Sequence, residues 1–162
     1  MTEQLVIRKI QKQDDPTIAV IIRNCLEEFG ANKPGTVYYD KSTDNLSSLF
    51  EYPRSHYFIA EYNGAILGGG GIFPSDGLPV DTCELVKMYL TANARGKGIG
   101  AALIKECMTV AAKEGFKKIY IETMPELKQA IRVYEKFGFE YLKKPLGNTG
   151  HFGCDVWMLR EI

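Results

Sequence analysis

The first apolar run, Leu5-Val6-Ile7-Arg8-Lys9-Ile10, predicts a strand. Asp14-Asp15-Pro16 then suits a helix start, because carboxylates favour the positive end of the helix dipole and proline is tolerated in the first turn. Ile18, Ile21, Ile22, Cys25, Leu26 and Phe29 recur at helical spacing, and Gly30 offers a stop. The stretch Ala31–Ser42, with Pro34, Gly35 and two tyrosines, reads as a loop, either a plain connection or the wall of a substrate site. Thr43–Leu49 predicts a second, short helix. Tyr57–Glu61 and Ala65–Phe73 are apolar runs joined through Asn63-Gly64, a dipeptide suited to a tight hairpin turn. Glycine fills every position from Gly68 to Gly71, which predicts a bulge or a close approach of backbones. A turn over Pro74–Pro79 leads into a strand at Glu84–Leu90.

Leu103, Cys107, Val110 and Ala111 then mark one face of a helix ending near Gly115. Lys118–Thr123 is a strand, parallel to the one before it if the helix is a right-handed crossover. From Pro125 onward Leu127, Ala130, Ile131, Tyr134 and Phe137 keep helical intervals as far as Gly138. Strands around Phe139–Leu142 and Cys154–Leu159 flank a Pro145–Gly153 loop. The order β-α-α-β-β-β-α-β-α-β-β predicts an α/β (α+β) fold with a mixed sheet, as one domain over residues 1–162.

Composition narrows the function. Lys+Arg and Asp+Glu both number 20, so no global charge pulls the chain toward nucleic acid or an anionic membrane. Met1-Thr2-Glu3-Gln4 lacks the apolar stretch of a secretory leader, and no run is long enough to span a bilayer. The four cysteines are scattered without a Cys-x-x-Cys pair, and only His56 and His151 could join them as ligands. The expectation is a cytoplasmic protein with reduced thiols, no metal, and no nucleic-acid or membrane partner.

Chemistry concentrates between Cys83 and Gly115. There a strand feeds Arg95-Gly96-Lys97-Gly98-Ile99-Gly100, and a helix opens at once. Unpaired N–H groups at a helix start, with the positive end of the dipole behind them, hold phosphate. A nucleotide-binding Gly-x-x-x-x-Gly-Lys-Ser/Thr loop is excluded, since no Lys-Ser or Lys-Thr step follows Gly98. A dinucleotide fingerprint fits poorly. Leu103 stands where its third glycine belongs, and the loop lies deep in the chain rather than in the opening βα turn.

Arg95-Gly96-Lys97-Gly98-Ile99-Gly100 instead resembles the Arg/Gln-x-x-Gly-x-Gly/Ala loop of the GNAT N-acetyltransferase superfamily. Ala130-Ile131-Arg132-Val133-Tyr134-Glu135-Lys136-Phe137-Gly138-Phe139 is similar to that family's Ala-x-x-x-Tyr-Glu-Lys-x-Gly-Phe helix end. The order of elements agrees from the first strand to the last. This resemblance implies a GNAT-like fold using acetyl-CoA as the acyl donor. It places the pyrophosphate on Arg95, Gly96, Lys97, Gly98, Ile99, Gly100 and Ala101. It also implies that the fourth and fifth strands splay, which frees backbone groups near Lys87, Met88, Tyr89 and Leu90 for the pantetheine.

Moving an acetyl group from a thioester to an amine requires a base, donors for the carbonyl oxygen, and a proton for the leaving thiolate. By its place in the motif Tyr134 is the candidate acid, although its helix position also suits a plain core residue. Glu84 matches the base position of some members, with Glu122 in reserve. His151 could bind or deprotonate the acceptor, and water could serve instead of either. Backbone N–H groups near Met88 or Tyr89 are the candidate oxyanion donors. Acceptor choice would fall to the loops Ala31–Ser42, Pro74–Pro79 and Pro145–Gly153. The expected partner is a small-molecule or protein amine, bound by a monomer or homodimer. The alternative is a catalytically silent CoA-binding sensor or interaction module.

Overall fold

The computed structural model describes residues 4–162. Its strands are β1 (Leu5–Lys9), β2 (His56–Tyr62), β3 (Ala65–Phe73), β4 (Thr82–Leu90), β5 (Lys118–Thr123), β6 (Glu140–Leu142) and β7 (Val156–Glu161). The helices are α1 (Asp15–Glu28), α2 (Leu46–Leu49), α3 (Ile99–Lys113) and α4 (Lys128–Lys136). The strands form one sheet in the order β1-β2-β3-β4-β5-β7-β6, antiparallel throughout except for the β4–β5 pair. This is the order of elements expected from the sequence.

Strand alternation sends neighbouring side chains to opposite faces, so the core is double. Tyr57 and Ile59 of β2 face Ile18, Ile22 and Leu26 of α1. On the other face Ile72, Leu85, Ile119 and Ile121 meet Ile104, Cys107 and Ala111 of α3, together with Tyr134 of α4.

Element ends differ from expectation where local hydrogen bonds intervene. The second helix is a 3-10 stretch over Lys41–Asn45 followed by one α-turn, since the Thr43 hydroxyl bonds the Val37 carbonyl at 2.9 Å. Helix α4 begins at Lys128 rather than Pro125, after a turn in which the Leu127 N–H bonds the Met124 carbonyl at 3.0 Å. β7 starts at Val156 because Cys154 N–H closes a turn on the His151 carbonyl at 3.1 Å.

The glycine run serves both predicted purposes, but the extra residue is on its neighbour. Gly69 pairs with Tyr89 and Gly71 with Val86, so Lys87 and Met88 of β4 together oppose Gly70. Lys87 takes a left-handed φ of 53°, and the Tyr57 hydroxyl holds its carbonyl at 2.8 Å. A Cβ on Gly68 would sit 2.1 Å from the Tyr89 carbonyl oxygen, at a φ of 151°. Gly68→Ala is therefore expected to cost about 3 kcal/mol or more, read as a lowered denaturation midpoint, because backbone rather than a flexible side chain blocks the space.

The β4–β5 ladder is short. Thr82, Cys83 and Glu84 pair with Lys118, Ile119 and Tyr120, and there it stops, although β4 runs on to Leu90 and β5 to Thr123. On its far side β5 stays paired with β7 through Thr123. The sheet therefore opens into a fork, and the candidate site lies in the fork.

Candidate functional site

A cleft of about 420 Å³ runs from the glycine loop into the fork. Leu85 and Lys87–Leu90 line one side, Ile121–Thr123 and α4 the other, with Gly96, Gly98, Gly100 and Ala101 at its outer end. Gly98 caps α3 with a left-handed φ of 80°, and Gly96 has a φ of 75°. The first bond into the helix is Ala102 N–H to the Gly98 carbonyl at 3.0 Å, so the amides of Ile99, Gly100 and Ala101 precede any intrahelical acceptor. Open space stands where a Cβ on Gly96 or Gly98 would point. These glycines supply backbone conformation and an unobstructed approach.

The loop side chains divide. Lys97 is exposed. Ile99 is buried with Leu103 and Ala94, so its contribution to the loop surface is its backbone. Arg95 lines the cleft, but its guanidinium is paired with Glu28, donates to the Leu90 carbonyl at 3.0 Å, and lies 4.8 Å over the Phe29 ring. Its charge is thus balanced by α1, and it ties the end of β4 to that helix.

Tyr134 projects from α4 into the cleft and is almost wholly buried, edge-on to Phe139 with ring centres 6.0 Å apart. Burial drives its phenol well above the ordinary value, so it carries its proton at neutral pH. The amphipathic pattern and the motif pointed to different roles for this residue, yet in the structure one side chain both packs in the core and faces the cavity.

Glu84 lies beyond the fork, at the last β4–β5 rung, and lines a second, much smaller cavity of about 30 Å³. It is 3% exposed. Burial raises its carboxyl from 4.5 to about 7; the Ser75 hydroxyl, donating at 2.5 Å, opposes this, the Glu122 charge adds to it, and His151 and Lys87 oppose it. Carboxylate or ring atoms of Glu84, Glu122 and His151 come within 4.8 Å of one another. Such a trio could ligate a metal ion, but its atoms already have partners. Tyr120 and Thr149 both donate to Glu122, and His151 Nε2 meets Asp40 Oδ2 at 2.7 Å.

The three loops named from sequence close over this cluster. Gly153 N–H bonds the Gly35 carbonyl at 2.9 Å, and Asn148 N–H bonds the Asp76 carbonyl at 2.7 Å. Two side chains in the cluster escaped sequence reasoning: Lys87, 7% exposed, and its partner Asp40 at 3.6 Å. A signal for Lys87 existed, since it is the one charged residue within the otherwise apolar strand run Leu85–Leu90. Asp40 had none, because its role depends on a contact between residues far apart in the chain.

The glycine loop at the start of α3 thus opens into a forked sheet, with a buried tyrosine in the cleft and a buried carboxyl at the last rung. Residues 22–139 match the model of the Acetyltransferase (GNAT) family. The chain is 44% identical over 159 residues to the uncharacterized N-acetyltransferase YjgM of Escherichia coli strain K12, covering 97% of this chain and 95% of that protein. A GNAT acetyltransferase from Staphylococcus aureus Mu50 shares its fold with a TM-score of 0.85 at 17% identity, over 98% of this chain and 99% of that one. The putative acetyltransferase yncA of Salmonella typhimurium, solved with acetyl-CoA, gives a TM-score of 0.75 at 19% identity over 98% and 94% of the two chains. The protein belongs to the GNAT family and is an N-acetyltransferase.

Proposed function

We propose that the protein transfers the acetyl group of acetyl-CoA directly to a primary amine, with Tyr134 as general acid and Glu84 as general base. The observation that carries this reading is the fork itself: a buried phenol lines the large cleft inside it, and a buried carboxyl of pKa about 7 sits at its last rung, in the smaller cavity. The cleft suits the donor. Its outer end offers the amides of Gly98–Ala101 to the pyrophosphate, and Met88–Leu90 present an unladdered strand edge to the amide-bearing arm. That a neighbour of the same fold was solved with acetyl-CoA adds support.

Glu84, about half ionised near neutrality, takes a proton from the acceptor ammonium, so that the amine gains its lone pair. The nitrogen–carbon bond then forms as the carbon–sulfur bond breaks. Backbone N–H groups at the Lys87–Met88 bulge are the candidates to meet the negative charge on the carbonyl oxygen. Tyr134 hands its proton to the departing thiolate and regains one, through solvent, as the new amide nitrogen sheds its second proton. Burial raises the phenol, and a thiolate leaving into the same desolvated cleft would be made more basic as well, so the gap between them need not widen. Glu122 and His151 are the alternatives for the base.

The direct test is amine-dependent release of free thiol from acetyl-CoA, with acetylated product identified by mass. Binding of CoA without release for any amine would instead favour a sensor module. Gly98→Ala tests the phosphate end. A left-handed alanine costs roughly 1–2 kcal/mol and disturbs the first turn of α3, so KM for acetyl-CoA is expected to rise about tenfold with kcat little changed. Gly115→Ala is the control, since it carries the same left-handed strain at a φ of 87°, with open space for its Cβ, beyond the far end of α3 and away from the cleft.

A further inference from the structure

Among the described residues Lys87 is the only lysine or arginine classed with the buried side chains. The β4 bulge puts it there, in a left-handed conformation that a branched or bulky chain does not take freely. An ammonium taken from water needs a close counter-charge. Besides the Glu84 charge nearby, Lys87 has Asp40 Oδ2 at 3.6 Å, longer than a good hydrogen bond, and that same oxygen is held by His151 Nε2 at 2.7 Å. A lysine and a histidine ring thus share one oxygen of a carboxylate that reaches in from the Ala31–Ser42 loop.

Lys87 and His151 line the same small cavity as Glu84 and Glu122. One pocket therefore offers carboxylates that suit an ammonium, and a lysine and a histidine that can donate to a carboxylate. A polyamine would set its further charge against Lys87 and His151. A neutral amine would leave Lys87 as poorly matched as before. An acceptor carrying both charges satisfies each end.

We propose that the acceptor is a small amino-acid-like zwitterion, its amine at Glu84 and its carboxylate on Lys87 and His151, where Asp40 stands in the free protein. Asp40 is an internal substitute for the acceptor's carboxylate. It withdraws with its loop when the acceptor enters, and this enlarges a cavity of about 30 Å³ that is too small for an amino acid. The inference rests on the acetyl-transfer reading, with the acceptor on the Glu84 side of the fork.

The test is thiol release from acetyl-CoA with the standard amino acids, each matched against its α-carboxamide and its decarboxylated amine. For the amino acids that react, kcat/KM is expected to exceed that of the carboxamide by about tenfold or more, because the amide leaves a buried cation unmatched. Lys87→Met, which keeps the apolar stem, is expected to bring that ratio to parity. Asp40→Asn, which empties the substitute of charge, is expected to lower KM for the free acids severalfold. Carboxamides or diamines that outperform the free acids, or a KM that rises in Asp40→Asn, overturn the inference while leaving acetyl transfer intact. No thiol release with any amine, together with a melting temperature unmoved by the free amino acids, sinks both.

Discussion

Tyr134→Phe is expected to lower kcat by roughly 100-fold or more, with the dissociation constant for acetyl-CoA unchanged, the range expected when a positioned acid is removed. The substitution deletes one oxygen. It keeps the ring that packs on Phe139 and fills the core beside α3, so the fold should survive. Steady-state thiol release and calorimetric binding of acetyl-CoA separate the two quantities. A mutant with wild-type kcat would remove Tyr134 from the mechanism and leave it a core residue. A mutant that loses donor affinity as well would mean that the hydroxyl holds the ligand rather than serving the leaving group.

The second large effect concerns Glu84. Four groups face its carboxyl from separate elements: Ser75 from the turn after β3, Lys87 from β4, Glu122 from β5 and His151 from the last loop. With a pKa of about 7, wild-type kcat/KM should rise as pH climbs through neutrality, because only the ionised form accepts a proton. Glu84→Gln should lower kcat/KM by about 100-fold and abolish that limb. A limb that persists in the mutant would transfer the base role to His151 or to water.

The same substitution has an opposite effect on stability. A carboxyl raised from 4.5 to about 7 binds its proton more tightly in the folded chain, so its contribution to stability is fully present below pH 4.5 and is lost as pH rises through 7. Glu84→Gln has no charge to bury. It should match wild type near pH 5 and exceed it near pH 8, by an amount on the order of 3 kcal/mol in urea melts. Activity and stability moving apart in one variant is the pattern of a group placed for chemistry.

Much of the fold was legible because its signals are local. Asn63-Gly64 marks its hairpin, and both residues adopt the positive φ the turn needs. The spacing of Ile18 to Phe29 gives α1 without reference to any other part of the chain. The bulge was only half legible. Gly68–Gly71 announced a close approach, but which strand carried the extra residue depended on cross-strand register, a long-range quantity. The site divides in the same way. The glycine loop and Tyr134 stand in contiguous motifs, and the structure brings Gly96, Gly98, Gly100 and Tyr134 to one cleft. The set of Asp40, Lys87, Glu122 and His151 assembles from four distant segments, and no spacing rule connects them. Arg95 was expected among the pyrophosphate residues; its ion pair with Glu28 shows that a basic residue in such a motif can be occupied by a partner far back in the chain.

The three rungs from Thr82 to Glu84 are, among the described residues, the only ladder joining the β1–β4 half of the sheet to the β5–β7 half. Above them the halves are joined by packed side chains and by loop contacts instead of strand hydrogen bonds. A carboxylate rooted at the last rung has backbone pairing fixed directly beneath it, and the open fork only above. Acceptors of different girth would therefore meet Glu84 at one height, and differences among them would be felt at the rim, where the loops can give.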